Sequence, residues 1–479
     1  MLKTYSIPED AKKCCHFKVK VNGDTVETYS CTVSAMPFNT PWPGHQRPVD
    51  QAEEASFVYF DTDEVVNIEI ETCKDFSDLK IRPLSKNIVP EVNGRHIKFS
   101  ANVGQYTIEL DGTHNALHIF INPIKDYCID INDKNVIYFG AGVHRPGSIE
   151  LKSGQTLFVD SGAVVHASVR AEDCENIKIL GHGIIDYETF ERHSSLLWGY
   201  DGLMNFVRCK NVTVDGVILK DSSWWTITAF NCENILIDNV KAIGMWRYNA
   251  DGFDMVNCSN VIIRNCFLRT FDDSIVFKGL KIIENGKNHG YDLKNVENHL
   301  VENCVIWCDW GRSLEIGAET CADEYVNISY KNCDLIHNES VAMDIQNGDR
   351  ANVYNVSYED IRVEYSVHDH RGIIQENDEH KYKQRDELVP ANLMFADMYV
   401  GMWSKDMIYG HTHDISYKNI TVYMDEGVPM PLTQFIGGTP DNLAEDITIE
   451  NVIVNGKKIS DLDEINYQPH KYSRNITLK

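Results

Sequence analysis

No stretch of this 479-residue chain runs to about 18 consecutive apolar residues, so nothing in it reads as a transmembrane helix. The start, Met1 to Pro8, lacks the basic and apolar regions of a secretory signal. The expectation is a cytoplasmic protein, or a secreted one whose leader has been removed. Positive charge is scarce: 45 Lys and Arg face 71 Asp and Glu, for a net charge of −26. Such a surface repels nucleic acid and anionic lipid, and it disfavours a highly anionic polymer unless a local basic patch offsets the field. No Cys-x-x-Cys is paired with a second one or with a His pair, so neither a zinc site nor any other metal or cofactor is expected. Helical periodicity is weak throughout.

With 43% hydrophobic residues the chain folds, yet it is too long for one ordinary compact core unless it is elongated or repetitive. Nine of its 14 cysteines fall between Cys174 and Cys333, mostly at recurring places inside apolar strand patterns. They read as reduced, stacked core thiols rather than disulfides.

The first 128 residues carry short alternating stretches, such as His16–Val21, Val65–Glu71 and Tyr106–Leu110, broken by Asn22-Gly23-Asp24, Asn93-Gly94 and Asp111-Gly112. That pattern predicts a β-sandwich, packed on one end of the remaining chain. Residues 129–479 hold an internal repeat. Its anchors are Asn211, Asn234, Asn260, Asn298, Asn327, Asn355, Asp414 and Asp446, with Asn176 as a weaker first copy. Each precedes a β-branched or apolar triplet, a polar residue and a second Asn, Asp or Gly. The steps are 23, 26, 38, 29, 28, 59 and 32 residues, and the step of 59 reads as an extra coil plus a long loop. A strand repeat this short, without helices, fits one coil of a right-handed parallel β-helix. The anchor Asn suits a left-handed turn position. Insertions at Asn285–Leu293 and Val367–Leu388 should wall a cleft.

Asp251 is followed 21 and 22 residues later by Asp272 and Asp273. One period apart means adjacent in space, so three carboxylates converge. Like charges at close range raise one another's pKa and cost stability, which a purely structural protein seldom accepts. Glycoside hydrolysis needs such a set: one carboxyl protonated, one ionised. The plainer reading, turn aspartates capping strand ends, is preferred only for Asp254.

These residues carry a family resemblance. Asn249-Ala250-Asp251-Gly252-Phe253-Asp254 resembles the NTDGID motif of polygalacturonases, glycoside hydrolase family 28, and Asp272-Asp273-Ser274-Ile275-Val276-Phe277-Lys278 resembles their DDCVAIK motif, with Ser for Cys. Leu314 to Thr320 is similar to their IGSE segment. The likeness covers about residues 140 to 365. The front part, at Ile81 to Val92, Tyr106 to Gly112 and His118 to Pro123, is closer to the β-sandwich of dextranase-like enzymes, glycoside hydrolase family 49. The resemblance implies an all-β, pectin-lyase-like solenoid and an inverting mechanism. It makes Asp272 the general acid, with Asp251 and Asp273 holding and activating water. Where the family has a His-Gly pair this chain has Trp310-Gly311-Arg312-Ser313, so Arg312 takes the histidine's place, and His289-Gly290 is a lesser candidate. Where the family has Arg-Ile-Lys for a uronate, this chain has Asp344-Ile345-Gln346.

Further candidates for substrate contact are Asn249, Trp246, Trp310, Glu315, Glu319, Asp344 and Gln346, with Tyr248 and Trp307 near the cluster. Trp225 is assigned to the core. Lys278 either sits among the aspartates or pairs on the surface. The expected activity is inverting hydrolysis of a neutral oligo- or polysaccharide, exo-acting if the loops close one end of the cleft. The alternatives are a lyase or epimerase holding Ca²⁺ on the aspartates, and a non-catalytic carbohydrate-binding solenoid. No oligomeric state follows from the sequence.

Overall fold

The computed structural model describes residues 1–35, 51–190, 202–281, 292–369 and 386–479, and the backbone of 283–284, 287–288, 373–374 and 383–384. His289-Gly290 and most of the two insertions lie outside the described residues.

Two antiparallel-rich sheets form the front of the chain. One is five-stranded, with Phe17–Val21, Val66–Thr72 and His96–Ala101 at its centre; the other is six-stranded around Ala52–Thr62, Leu117–Pro123 and Gly104–Leu110. Alternation does the sorting. In Phe17–Val21 the odd residues are buried and the lysines between them exposed, as expected of a strand with one wet face. Val19, Ile68, Ile97, Val58, Ile108 and Ile119 fill the space between the sheets.

From Val136 to Leu478 the strands pair in parallel with the strand one coil on, apart from an antiparallel hairpin between Ala444–Val454 and Lys457–Lys458, in an array of 31 strands among the described residues: a parallel β-helix. The repeat anchors stack as expected. Asn176, Asn211, Asn234, Asn260, Asn298, Asn327 and Asn355 all have φ between 53° and 61°, where Asn is tolerated better than other side-chain-bearing residues. From Asn211 onward, the Nδ2 of each donates to the Oδ1 of the one before, at 2.6–3.2 Å. Inside, Cys209, Cys232 and Cys258 stack as free thiols and donate to carbonyls of the preceding coil. Burial pushes the Cys232 and Cys304 thiols well up, which keeps them inert. Cys174 is only partly buried.

Two expectations change. Asn352–Glu359 pairs directly with His411–Met424, so the 59-residue step is one coil with a long insertion and no extra coil. The sandwich does not sit on the helix end either. It lies along the side, where successive coils present Val164, Ile184, Ile218, Ile243, Phe267, Val305 and Ile336 to Tyr29, Phe57 and Phe120. One end coil would bury only a single such residue, whereas the flank buries one per coil. At about 25 cal/mol per Å² of apolar surface, the flank wins. Polar ties follow the same line, from Asp61 with His182 (2.8 Å) to Lys80 with Asp425 (2.8 Å).

Candidate active site

A second face of the solenoid carries the chemistry. Its strands include Ile227–Phe230, Phe253–Val256, Ile275–Gly279, Arg312–Thr320, Val341–Asn347 and Asn392–Asp397. Register places Thr228, Asp254, Val276, Glu315, Asp344 and Phe395 in one row across them. The inward residues beside this row, Phe253, Ile275, Leu314 and Met343, are core. Alternation therefore points the acids out of the solenoid, yet Asp254, Glu315 and Asp344 are at most 2% exposed.

Asp251 and Asp273 close the turns before two of these strands. Gly252 N donates to Asp273 O and Phe253 N to Ser274 O, both at 2.8 Å, so the 22-residue spacing stacks the two aspartates. Gly311 lies against the Asp pair; a Cβ there would fall 2.6 Å from the Asp272 Oδ1, so only glycine fits. Asn249, at φ 57°, turns its amide to Asp272 Oδ2 at 3.3 Å.

Two cations organise the acids. The Lys278 ammonium lies 3.4 Å from Asp254, 3.8 Å from Asp251 and 3.9 Å from both Asp273 and Glu319. It also sits 4.5 Å from the centre of the Trp225 ring. A bulge sets Glu319 here: the register between Ile275–Gly279 and Arg312–Thr320 shifts after Phe277, which pairs with Ile316, so that Gly279 pairs with Thr320. The Arg312 guanidinium lies 3.2 Å from Asp344 and 3.7 Å from both Asp273 and Glu315, and its backbone N–H donates to Asp273 Oδ1 at 3.0 Å.

The two neighbouring aspartates are thereby driven apart. Burial, and then the charge of Asp273, push Asp272 up to about 7. Burial alone would raise Asp273 too, but Arg312 and Lys278 hold it below its ordinary value. Burial raises Asp251, Asp254 and Glu315 well above theirs, and Asp344 to about 8. Asp273 is thus held ionised beside buried acids that keep their protons to higher pH.

The structure brings together Asp251, Asp272, Asp273, Asn249, Lys278, Arg312, Glu315, Glu319 and Asp344. Gln346, two residues beyond Asp344 on the same side, pairs with Asp397 on the next coil. Trp310 stacks on Phe271 (5.6 Å) and meets Tyr248 at a 45° tilt (5.5 Å) beside Asp272. Trp246 is 8% exposed and has the Arg247 guanidinium over its ring at 4.9 Å. Trp307 does not belong here: it packs into the sandwich contact, under Arg269 and against His337. Asp254 is no turn cap but a strand residue in the centre of the cluster. The signal was available, since Lys278 aligns with Val256, two residues from Asp254. Trp225 is buried as assigned, though it also meets Lys278. Asp397, which burial pushes to about 6, was missed because the insertion hides its register.

Among the described residues, Cys14/His16/Glu54, Cys321/Asp349/Asp406 and Asp186/Glu188/Asp221 have ligand atoms close enough to share an ion. The Lys220 ammonium already enters the last of these, 2.9 Å from Asp186.

This fold and this set of acids define the class as a parallel β-helix of the glycoside hydrolase type. The chain belongs to glycosyl hydrolases family 28, whose family model matches residues 135–390, just over half of its length. It is 28% identical over 154 residues to a probable polygalacturonase of Arabidopsis thaliana, a match spanning 29% of this chain and 33% of the plant protein. In structure it is similar to Dex49A from Penicillium minioluteum, with a TM-score of 0.66 and 14% identity, covering 99% of this chain and 96% of that one. It is also similar to a hyperthermoactive exopolygalacturonase from Thermotoga maritima, with a TM-score of 0.50 and 19% identity, over 68% and 84% of the two chains.

Proposed function

We propose that this protein is an inverting glycoside hydrolase acting on a neutral oligo- or polysaccharide. The observation that carries the proposal is the unequal setting of adjacent Asp272 and Asp273: burial raises the first to about 7, while Arg312 and Lys278, 3.7 and 3.9 Å from the second, hold it ionised. Asp272 donates its proton to the oxygen of the leaving sugar. Asp273 takes a proton from the attacking water, and Asp251, neutral beside it, hydrogen-bonds that water. Lys278 and Arg312 keep Asp273 charged; neither acts as a base.

The neutral substrate follows from how the cations are already used. Arg312 faces Asp273, Glu315 and Asp344, and Arg350 pairs with Asp406. Lys278 faces four acids. A uronate would have to draw both cations away from ionised Asp273, whereas Asp344 and Gln346 suit hydroxyls. The test incubates the protein with polygalacturonate, oligogalacturonides and neutral glucans, galactans and fructans, following reducing ends and, by NMR, the anomer first released. Efficient cleavage of galacturonides would overturn the substrate class, and a retained anomer would overturn the mechanism.

A further inference from the structure

The segment after Asn392–Asp397 carries an unusual run of exposed apolar side chains. Tyr399, Trp403 and Tyr409 are 46%, 36% and 38% exposed, in a stretch that also exposes Met402. Exposed rings on a loose loop would fold onto one another. These are held. Asp349, itself fully buried, accepts the backbone N–H of Lys405 (2.7 Å) and of Asp406 (2.8 Å). Ser404 donates to Gly348 O, and Asn442 donates to the carbonyls of Tyr409 and Gly410. Two glycines act as beds for two of the rings. A Cβ on Gly401 would fall 2.3 Å from the Tyr399 ring, and one on Gly438 would fall 2.3 Å from the Tyr409 ring. Each tyrosine is thus packed against glycine while much of it stays open to solvent.

The platform is continuous with the acid cluster. Asp397, two residues before Tyr399, is in register with Gln346. Lys405 lies 3.7 Å from Glu319, which itself faces Lys278. A glycan spanning the Asp272–Asp273 pair and running toward the C-terminal coils would pass over these rings.

We propose that Tyr399, Trp403 and Tyr409 form a distal subsite that stacks on the C–H faces of further sugar units of the substrate. This rests on the hydrolase reading above and adds a place where chain length is sensed. The chemistry suits the occupant: a pyranose ring offers one apolar face and a rim of hydroxyls, and a fixed aromatic ring meets that face without an ordering cost.

The experiment uses Trp403→Ala and Tyr399→Ala in the full chain. Neutral oligosaccharides of increasing length are compared with the matching nitrophenyl monosaccharide. For the longest oligosaccharide KM should rise about tenfold more than for the monosaccharide, with the loss carried by KM rather than kcat. In parallel, Asp272→Asn with and without Trp403→Ala is run through gels containing dextran, galactan, inulin or polygalacturonate. Retardation by a neutral polymer that Trp403→Ala abolishes supports the subsite. Equal KM changes for long and short substrates, or retardation unaffected by Trp403→Ala, would overturn it. So would a halving of the sedimenting mass in Trp403→Ala, which would assign the patch to a second copy of the chain. Absence of turnover with every glycan would defeat the hydrolase reading instead, and the retardation gels would still decide the platform.

Discussion

Two buried clusters of charge, one in the cleft and one between sandwich and solenoid, are similar in density and opposite in completeness. Between the domains, Arg82 is gripped by Glu109 (2.9 Å) and Glu364, Glu364 also accepts Leu84 N (2.6 Å), and His337 bridges Glu109 and Asp369. Their carboxylates are matched by donors from both domains. In the cleft, Asp251 Oδ1, Asp254 Oδ2, both oxygens of Glu315, Asp344 Oδ1 and Gln346 Oε1 have no hydrogen-bond donor among the described residues. Burying polar atoms without partners costs roughly 1–3 kcal/mol each, so the cleft stores unfavourable energy that the Arg82 network does not. Completeness separates a staple from a site, although both are rich in acids and cations.

The largest effect that can break this contrast is on the staple. Arg82→Met leaves Glu109 and Glu364 buried without their cation, and stability should fall by about 3–5 kcal/mol. Thermal unfolding reads the loss, while kcat of the folded fraction stays at the parent value. A variant that melts with the parent would show that the network holds nothing together.

Asp272→Asn should do the reverse. It should lower kcat at least about 10²-fold and leave the melting temperature equal or higher, because it removes a clustered acid. Full activity with a lowered melting temperature would make the cleft a staple too.

Arg312→Leu sharpens the comparison within the cleft. It removes the cation that holds Asp273 down, so the acid limb of kcat/KM should move up by about one pH unit or more. In the parent, activity should fall as pH rises through about 7, where the acid Asp272 loses its proton. The two aspartates titrate as a pair, so a profile over roughly pH 3–9 is needed. A basic limb that stays put in Asp272→Glu and Arg312→Leu alike would place the acid elsewhere.

The smallest effect is on stability against pH, where His337 in one cluster and Asp272 in the other contribute with the same sign. His337, raised to about 9 by Glu109 and Asp369 against the opposing effect of burial, stabilises fully below its unfolded value near 6.5. That share is lost as pH climbs through about 9. Asp272, raised to about 7 by burial, binds more protons folded than unfolded between about pH 4 and 7, so stability also declines there as pH rises. Asp272→Asn should flatten the lower segment and leave the upper one, while His337→Gln should flatten only the upper. Denaturant midpoints at each pH decide.

How much of this was legible in the sequence depends on the range of the interaction. The coil period and its Asn anchors are local, and the turn residue that tolerates left-handed backbone marks every coil. Because the period also fixes which residues become neighbours, Asp251, Asp272 and Asp273 could be brought together from spacing alone. Asp254 was misread since a single Asp near a turn looks like a cap; only strand register turns it toward Lys278. Trp307 was misplaced because an aromatic close in sequence to the site lies on the face that meets the sandwich. That face was illegible: Arg82 and Glu364 are 282 residues apart, and no periodicity links a sandwich residue to a coil. The insertion before Asn392 hid both the true coil count and Asp397.

The flank-mounted sandwich has a mechanical consequence. A bare stack of coils behaves as a one-dimensional array in which any coil can open at the cost of its two neighbours. Here a second body bridges the coils from His182 to Asp425, so it acts as a splint and opening one coil means lifting part of it as well. Coils inside that span should open together, and slowly. The last strand, Ser473–Leu478, lies beyond Asp425 and pairs in parallel with Ala444–Val454, outside the span that the splint covers. Amide hydrogen exchange should therefore show one high plateau along the splinted coils and a step down past Asp425, rather than a gradual fraying from both ends.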